Sequence, residues 1–239
     1  NEGLKGVSLQ LPFTEILKAS AGVGHANLSE GSSGKIPLFI HYGQAFPAFG
    51  LEVLRVYKGI RRDAIIVKDN VLRFSSDESL SLPVSNDGTV NLNFTGSIYS
   101  FQRYRCIEVL RSFELRKLGV TPSVDLSSLR GKIVMISVIG EGRSQFIASP
   151  MEPRFPAIGL HATFLDNALH QRFLKPLTPW VAGTLTFMFA LLALLVLSVF
   201  GESRGSLYIA LIILLYGAFS QVLFSQFNVI MPVAQPLLL

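Results

Sequence analysis

The chain has 239 residues, 49% of them hydrophobic, with 21 Lys+Arg against 16 Asp+Glu for a net charge of +5, and one cysteine, Cys106. A lone cysteine excludes a disulfide framework or a thiolate metal site within the chain. The positive excess is mild and no run of five basic residues occurs, so Arg61, Arg62, Arg103, Arg105, Arg111, Arg116 and Lys117 read as solvated faces and nucleic acid is excluded as a partner.

Residues 1–177 carry 20 of the 21 basic and 15 of the 16 acidic residues, which predicts one water-facing domain of ordinary composition. In chain order, Ile36 to Tyr42 reads as a strand. Residues 47–57 read as a helix stopped by Gly59, with Phe49, Val53 and Val56 at helical spacing. Residues 64–67 and 71–74 flank Asp69-Asn70 as a hairpin. After Asn86-Asp87-Gly88, Val90, Leu92 and Phe94 alternate with Asn91, Asn93 and Thr95, a half-buried strand. Residues 104–118 place Cys106, Leu110 and Phe113 on one side of a helix ended by Gly119 and Pro122. Residues 132–139 are apolar on both alternations, the pattern of a strand covered on both faces. Ala162, Leu165, Leu169 and Phe173 mark an amphipathic helix over 161–173. The expected fold class is α/β, with a mixed, at least partly parallel sheet flanked by helices and followed by transmembrane helices.

Residues 178–239 differ in kind. Residues 180–200 hold no charge, and neither do residues 205–239. About 20 apolar helical residues cross a hydrocarbon layer of about 30 Å. Spans are therefore expected at about 180–200 and 206–225, joined by the polar turn 201–205, with the lipid bilayer as a partner. The start of a third helix is expected from about 229. The chain opens at Asn1 without an initiator Met or a signal-peptide pattern, so a piece truncated at both ends is expected.

Three stretches, taken together and in order, carry a pattern of their own. The first is Gly24, His25 and Asn27, then the apolar strand at 36–42, a glycine turn and a Pro-headed helix to Arg55. The second is 86–94 with Ser100-Phe101 and Val109-Leu110. The third is 129–136, Ser149-Pro150, 156–162, and Asp166 to Leu169 with Arg172 to Leu174. Together they resemble the type-2 CHASE sensor domain, the extracellular input module in front of bacterial cyclases and kinases, and the resemblance covers most of residues 12–239. It implies an exported sensor, an earlier membrane helix and β-α-β portion before Asn1, and a cytoplasmic output domain after Leu239. Two departures stand out: Ser29 to Gly34 replaces an Asp-x-Asp-Gly turn, and Arg143 to Ile147 lacks an Asp usual there. A ligand or ion requiring those carboxylates loses them here.

Counting Arg172 and Lys175 against Arg204 favours, by two residues to one, a cytoplasmic domain. Long domains translocate largely regardless of such counts, and the resemblance implies export. Residues 1–177 are thus expected outside a bacterial cytoplasmic membrane that the chain crosses more than once.

Candidate chemistry is sparse. Gly140-Glu141-Gly142 lacks the rest of a phosphate loop and reads as an ordinary turn. His161 and Asp166 are five residues apart on one helix, which splays them, and His161 reads as a buried or capping residue. His25, His41 and His170 lack ligand-spaced acidic or thiolate neighbours, and Ser149 lacks the glycines of a nucleophile elbow. No catalytic, cofactor or metal residue is expected, and the ligand-binding residues are unknown. The remaining candidate is a coupling joint, Pro176, Pro179 and Trp180, because each proline breaks the preceding helix and Trp180 suits the membrane interface. The alternative is a plain helix start with Pro179 at its first position.

The expected function is the sensory and membrane-anchoring part of a receptor whose output is a nucleotide cyclase or a kinase. An unidentified extracytoplasmic small-molecule or protein signal is the expected partner, and a homodimer is compatible with that role. A membrane-tethered structural or partner-binding protein without an output domain is the alternative, and a membrane-bound hydrolase with a Ser/His/Asp cluster ranks third.

Overall fold

The computed structural model describes residues 4–5, 10–28, 34–140 and 145–231. They form two compact units, dividing after Gln171. The first unit is mixed α/β. A short strand β1 (Leu4–Lys5) is followed by helix α1 (Thr14–Ala19), and the chain then enters β2 (Lys35–Pro37), β3 (Phe39–Tyr42) and β4 (Gln44–Pro47). β3 pairs parallel with β1 and antiparallel with β4, whose hairpin turns at Gly43 with a φ of 68°. The strand expected across 36–42 is therefore two strands on different sheets, broken at Leu38, and β4 takes in Pro47, the first position read as helix. Helix α2 runs Phe49–Tyr57. Its buried residues are Gly50, Leu51, Glu52 and Leu54, and Val56 is exposed, so the buried face is rotated from the expected one.

The expected hairpin forms over β5 (Ile65–Lys68) and β6 (Val71–Phe74), with Lys68 opposite Val71. Asp69 and Asn70 both take left-handed φ (52° and 59°), which a two-residue turn of this kind demands and these residue types tolerate. β7 (Asp77–Pro83) completes a three-stranded antiparallel sheet. β8 (Thr89–Asn91) pairs with β2, and Val90, Leu92 and Phe94 are buried as the alternation predicts.

Helix α3 (Cys106–Lys117) reverses its expected orientation. Leu110 and Phe113 are exposed, whereas Ser112 is fully buried, with its hydroxyl accepting from the Val124 amide at 3.0 Å. Residues 132–139 form no strand in the structure. No ladder partner lies beside the run among the described residues, and Val134, Ile136 and Val138 are exposed. A strand is defined by its neighbour, and an apolar pattern alone does not supply one. Short strands β9 (Phe146–Ile147) and β10 (Phe155–Pro156) lead into α4 (Ala157–His170). Gln171, at φ 54°, ends α4 before Phe173. Its buried side carries Leu160, His161, Phe164, Leu165 and Ala168, and Leu169 is exposed. Small sheets thus stand where one central sheet was expected.

The second unit contains β11 (Lys175–Pro176), two apolar helices α5 (Pro179–Gly201) and α6 (Arg204–Phe227), and β12 (Val229–Ile230). Gly201 breaks the helical path with φ 70° and ψ 176°. The helices fold back on each other: Phe189 meets Tyr216 and Phe200 meets Tyr208, each with ring centroids 4.6 Å apart. Both helices are long and apolar enough to cross a membrane, and few of their residues are buried. Hydroxyls of Thr184, Thr186, Ser198 and Ser225 bond back to carbonyls of their own helix, so they present no unpaired donor sideways. Val229–Ile230 is a strand paired with Lys175–Pro176 rather than the start of a third helix. Asn228, at φ 56°, reverses the chain just before it. Residues 232–239 lie outside the described residues.

Candidate functional site

The buried polar groups of the first unit gather around the N-terminal end of α2. A helix start leaves backbone amides without partners, and Ala48, the residue before α2, has no side chain to cap them. Two remote segments supply acceptors instead. The Phe49 amide donates to the His25 carbonyl at 2.8 Å, while the His25 amide donates to the Pro47 carbonyl at 2.8 Å. The Gly50 amide donates to Nδ1 of His161 at 3.3 Å, and the His161 ring stands edge-on to Phe49. Gly50 must be glycine for this packing: a Cβ there would lie 2.9 Å from the Phe164 ring and 3.3 Å from the His161 carbonyl.

Accepting from Gly50 at Nδ1 leaves the His161 proton on Nε2, which is buried without a partner. Both ring nitrogens of His25 are likewise buried, and neither makes a well-formed hydrogen bond, although backbone groups of Pro37, Asn27 and Leu38 lie beside the ring. Desolvation lowers the His161 pKa to about 4, helped by the proximity of His25. Desolvation also lowers that of His25 to about 4, outweighing the opposing pull of backbone groups at Pro37, Asn27 and Leu38. Two neutral imidazoles therefore sit here, and a proton added to His161 would place a charge with no acceptor, whereas His25 has backbone groups beside it that only partly offset its desolvation. The expectation of a buried His161 holds, whereas the interior position of His25 was not foreseen.

One turn further along α2, the Glu52 carboxylate is buried and held by two guanidiniums. Arg55 meets it with two hydrogen bonds of 2.9 Å, and Arg62 adds one of 3.0 Å. Burial alone would raise the Glu52 pKa, but the two arginines outweigh it and hold the carboxyl below its ordinary value. Arg55 is fully committed, donating also to the carbonyls of Ile60 at 2.7 Å and Ala21 at 3.4 Å. Beside this cluster lies a cavity of about 490 Å3 walled mainly by apolar side chains from α1, β3, β4 and β5, with Glu52 and Arg62 on its lining.

The other sequence candidates are dispersed. His41 is exposed on β3. Asp166 pairs with His170 at 3.1 Å, an i,i+4 contact that the sequence reading passed over, and so points away from His161. The Ser149 hydroxyl is used in a local turn, donating to the Glu152 carbonyl and accepting from the amides of Met151 and Glu152. Cys106 is exposed at the start of α3. Among the described residues no group of three or more His, Cys, Asp and Glu is placed to hold a metal ion. The Gly140 turn and the 29–34 departure fall largely outside the described residues. Asn167 was missed altogether: fully buried on α4, it accepts from the Asn93 amide at 2.7 Å and donates to the Asn93 carbonyl at 2.9 Å, acting as a strand partner after β8 ends.

In the second unit Pro176 lies in β11, where the amides of Lys175 and Leu177 donate to Asn228 and Ile230, so the missing proline donor costs no ladder bond. Pro179 is at the first turn of α5 and Trp180 is 88% exposed.

A model of the family described as CHASE2 domain matches residues 5–199, running from β1 through most of α5. No curated protein and no solved structure matches the chain.

Proposed function

Because the chain belongs to the CHASE2 domain family, a family of sensory domains in receptors, we propose that it is the sensory input and membrane-anchoring segment of a bacterial transmembrane receptor. The observation that carries this reading is continuity: the family match does not stop at the α/β unit but continues into the first of two exposed, apolar helices that fold back on each other. In this reading α5 and α6 cross the cytoplasmic membrane, the α/β unit stands outside, and the receptor's output domain, a nucleotide cyclase or a kinase, works inside. Turnover belongs to that output domain. The bilayer and an extracytoplasmic signal are the partners, and action as a homodimer is compatible with the design.

A signal changes output only if it binds two conformations with different affinity. Pro176, Pro179 and Trp180 form the joint through which the difference reaches α5. The pairing of β11 with β12 supports this role, because it ties the entry of α5 to the exit of α6 and makes the pair move together. The test uses the complete receptor. A reporter enzyme active only outside the cytoplasm is expected to be active when fused after Gly119 and inactive after Gly205; the opposite pattern overturns the orientation. Replacing residues 177–179 with Gly-Ser-Gly is expected to abolish the response of the output domain while leaving its basal activity, and a normal response reduces the joint to a plain helix start.

A further inference from the structure

The first unit contains a cavity whose size and charge together specify a class of ligand. Its volume of about 490 Å3 falls within the roughly 300–1,000 Å3 of small-molecule sites. Leu17, Phe39, Phe46 and Ile65 give it apolar walls, and Glu52 and Arg62 are the charged groups that reach it. The local charge does not balance. One carboxylate, Glu52, is shared by two guanidiniums, which leaves one positive charge over. The neighbouring cations do not share in the deficit, because Arg61 pairs with Asp63 and Lys58 pairs with Asp77 at 3.6 Å.

The surplus charge belongs to Arg62. Arg55 is nearly buried and spends its donors on Glu52, Ile60 and Ala21, whereas the Arg62 side chain is 64% exposed and gives one nitrogen to Glu52. A guanidinium presents five donors in a planar fork suited to a carboxylate. Here part of that fork is anchored by a buried acid, and the same side chain lines the cavity, so the anchor restricts where the guanidinium sits before any ligand arrives. We infer that this cavity binds a small organic acid, its apolar body among Leu17, Phe39, Phe46 and Ile65 and its carboxylate on Arg62. The inference rests on the sensory reading for one point, that the acid is the receptor's signal; binding itself is independent of it.

The test uses the whole chain in nanodiscs of uncharged lipid and four probes: benzoate, 3-phenylpropionate and the amide of each, titrated by calorimetry to millimolar concentration. Saturable binding of an acid is expected, at least about tenfold tighter than its amide, since a charge-assisted bond is worth about 1.5–3 kcal/mol and 1.4 kcal/mol is a factor of ten. Arg62→Gln is expected to remove that preference, and because Arg62 is exposed the variant should keep its melting temperature within a few degrees. Phe46→Trp, which narrows the cavity, is expected to weaken binding of acid and amide alike. Absence of saturable binding, equal affinity for acid and amide, or an unchanged preference in Arg62→Gln each overturns the inference. Output from the complete receptor separates the two claims. An acid that binds without changing output leaves the site standing and removes it as the signal, whereas failure to bind leaves the reporter map of the sensory reading untouched.

Discussion

Two parts of the α/β unit look alike in sequence and differ in the structure. The α2–α4 pair buries Leu51, Leu54, Leu160 and Phe164 completely, with Gly50 letting the helices approach. In contrast, α3 and the stretch 132–139 expose Leu110, Phe113, Val134, Ile136 and Val138. Burying one such side chain is worth about 1.5–3 kcal/mol, so the second part forgoes what stabilises the first. The difference lies in complementarity. The α2–α4 side provides acceptors for its polar groups, with His161 on the Gly50 amide and Asn167 on the Asn93 backbone, and the α3 side seats one serine. An apolar stripe locates a face, and a matched partner decides whether it is buried.

Acid should break this contrast most severely. His25 and His161 have folded pKa values of about 4, below the ordinary 6.5. For groups depressed in this way the stabilisation is fully present above the unfolded pKa and is lost as pH falls from about 6.5 toward 4. The loss should reach roughly 3 kcal/mol per imidazole at pH 4, and the two titrations should be coupled because each charge opposes the other. The protection of α2 and α4 amides against hydrogen exchange, with the slower intrinsic exchange at lower pH divided out, is expected to fall between pH 7 and 4.5, well before carboxylates such as Glu52, also lowered, begin to protonate. His161→Phe should flatten about half of that slope, and an unchanged slope would mean that the interior imidazoles already find acceptors.

Truncating Phe164 comes next. Phe164→Ala removes a fully buried ring packed against Gly50 and should cost about 3–5 kcal/mol. Denaturant unfolding of the whole chain measures it. Protection should fall in α2 and α4 and stay constant in α3, and an equal fall in α3 would show that the two parts unfold as one.

The features legible in the sequence were those set by neighbours along the chain. The Asp69-Asn70 turn fixed its own hairpin register, because two left-handed residues in succession permit little else. Val90 and Leu92 were placed by alternation, and the apolar helices by length without charge. What depended on distant residues was hidden. The faces of α2 and α4 were read one step away from their true orientation because Gly50, which carries no hydrophobic signal, marks the contact. β7 is polar enough to pass for loop until a partner strand is known, and β4 is short and ends in a proline. Nothing along the chain announced that Glu52 would meet Arg62 ten residues on, or that Asn167 would complete a strand 74 residues away.

The smallest expected effect is the most discriminating. Ile136 is 81% exposed, and a side chain already in water loses little when made polar. Ile136→Ser should therefore change the stability of the whole chain in nanodiscs by no more than about 0.5 kcal/mol, against several for Phe164→Ala in the same assay. Solubility should rise, since residues 132–139 combine apolar character with unpaired backbone, the features of an open strand edge. A loss of 2 kcal/mol or more, on the order of full burial, would mean that the edge is covered in the membrane-bound protein. The doubly apolar pattern of 132–139 would then have been a correct description of an interior strand, and the contrast between the two parts would reduce to whether each part's partner is present.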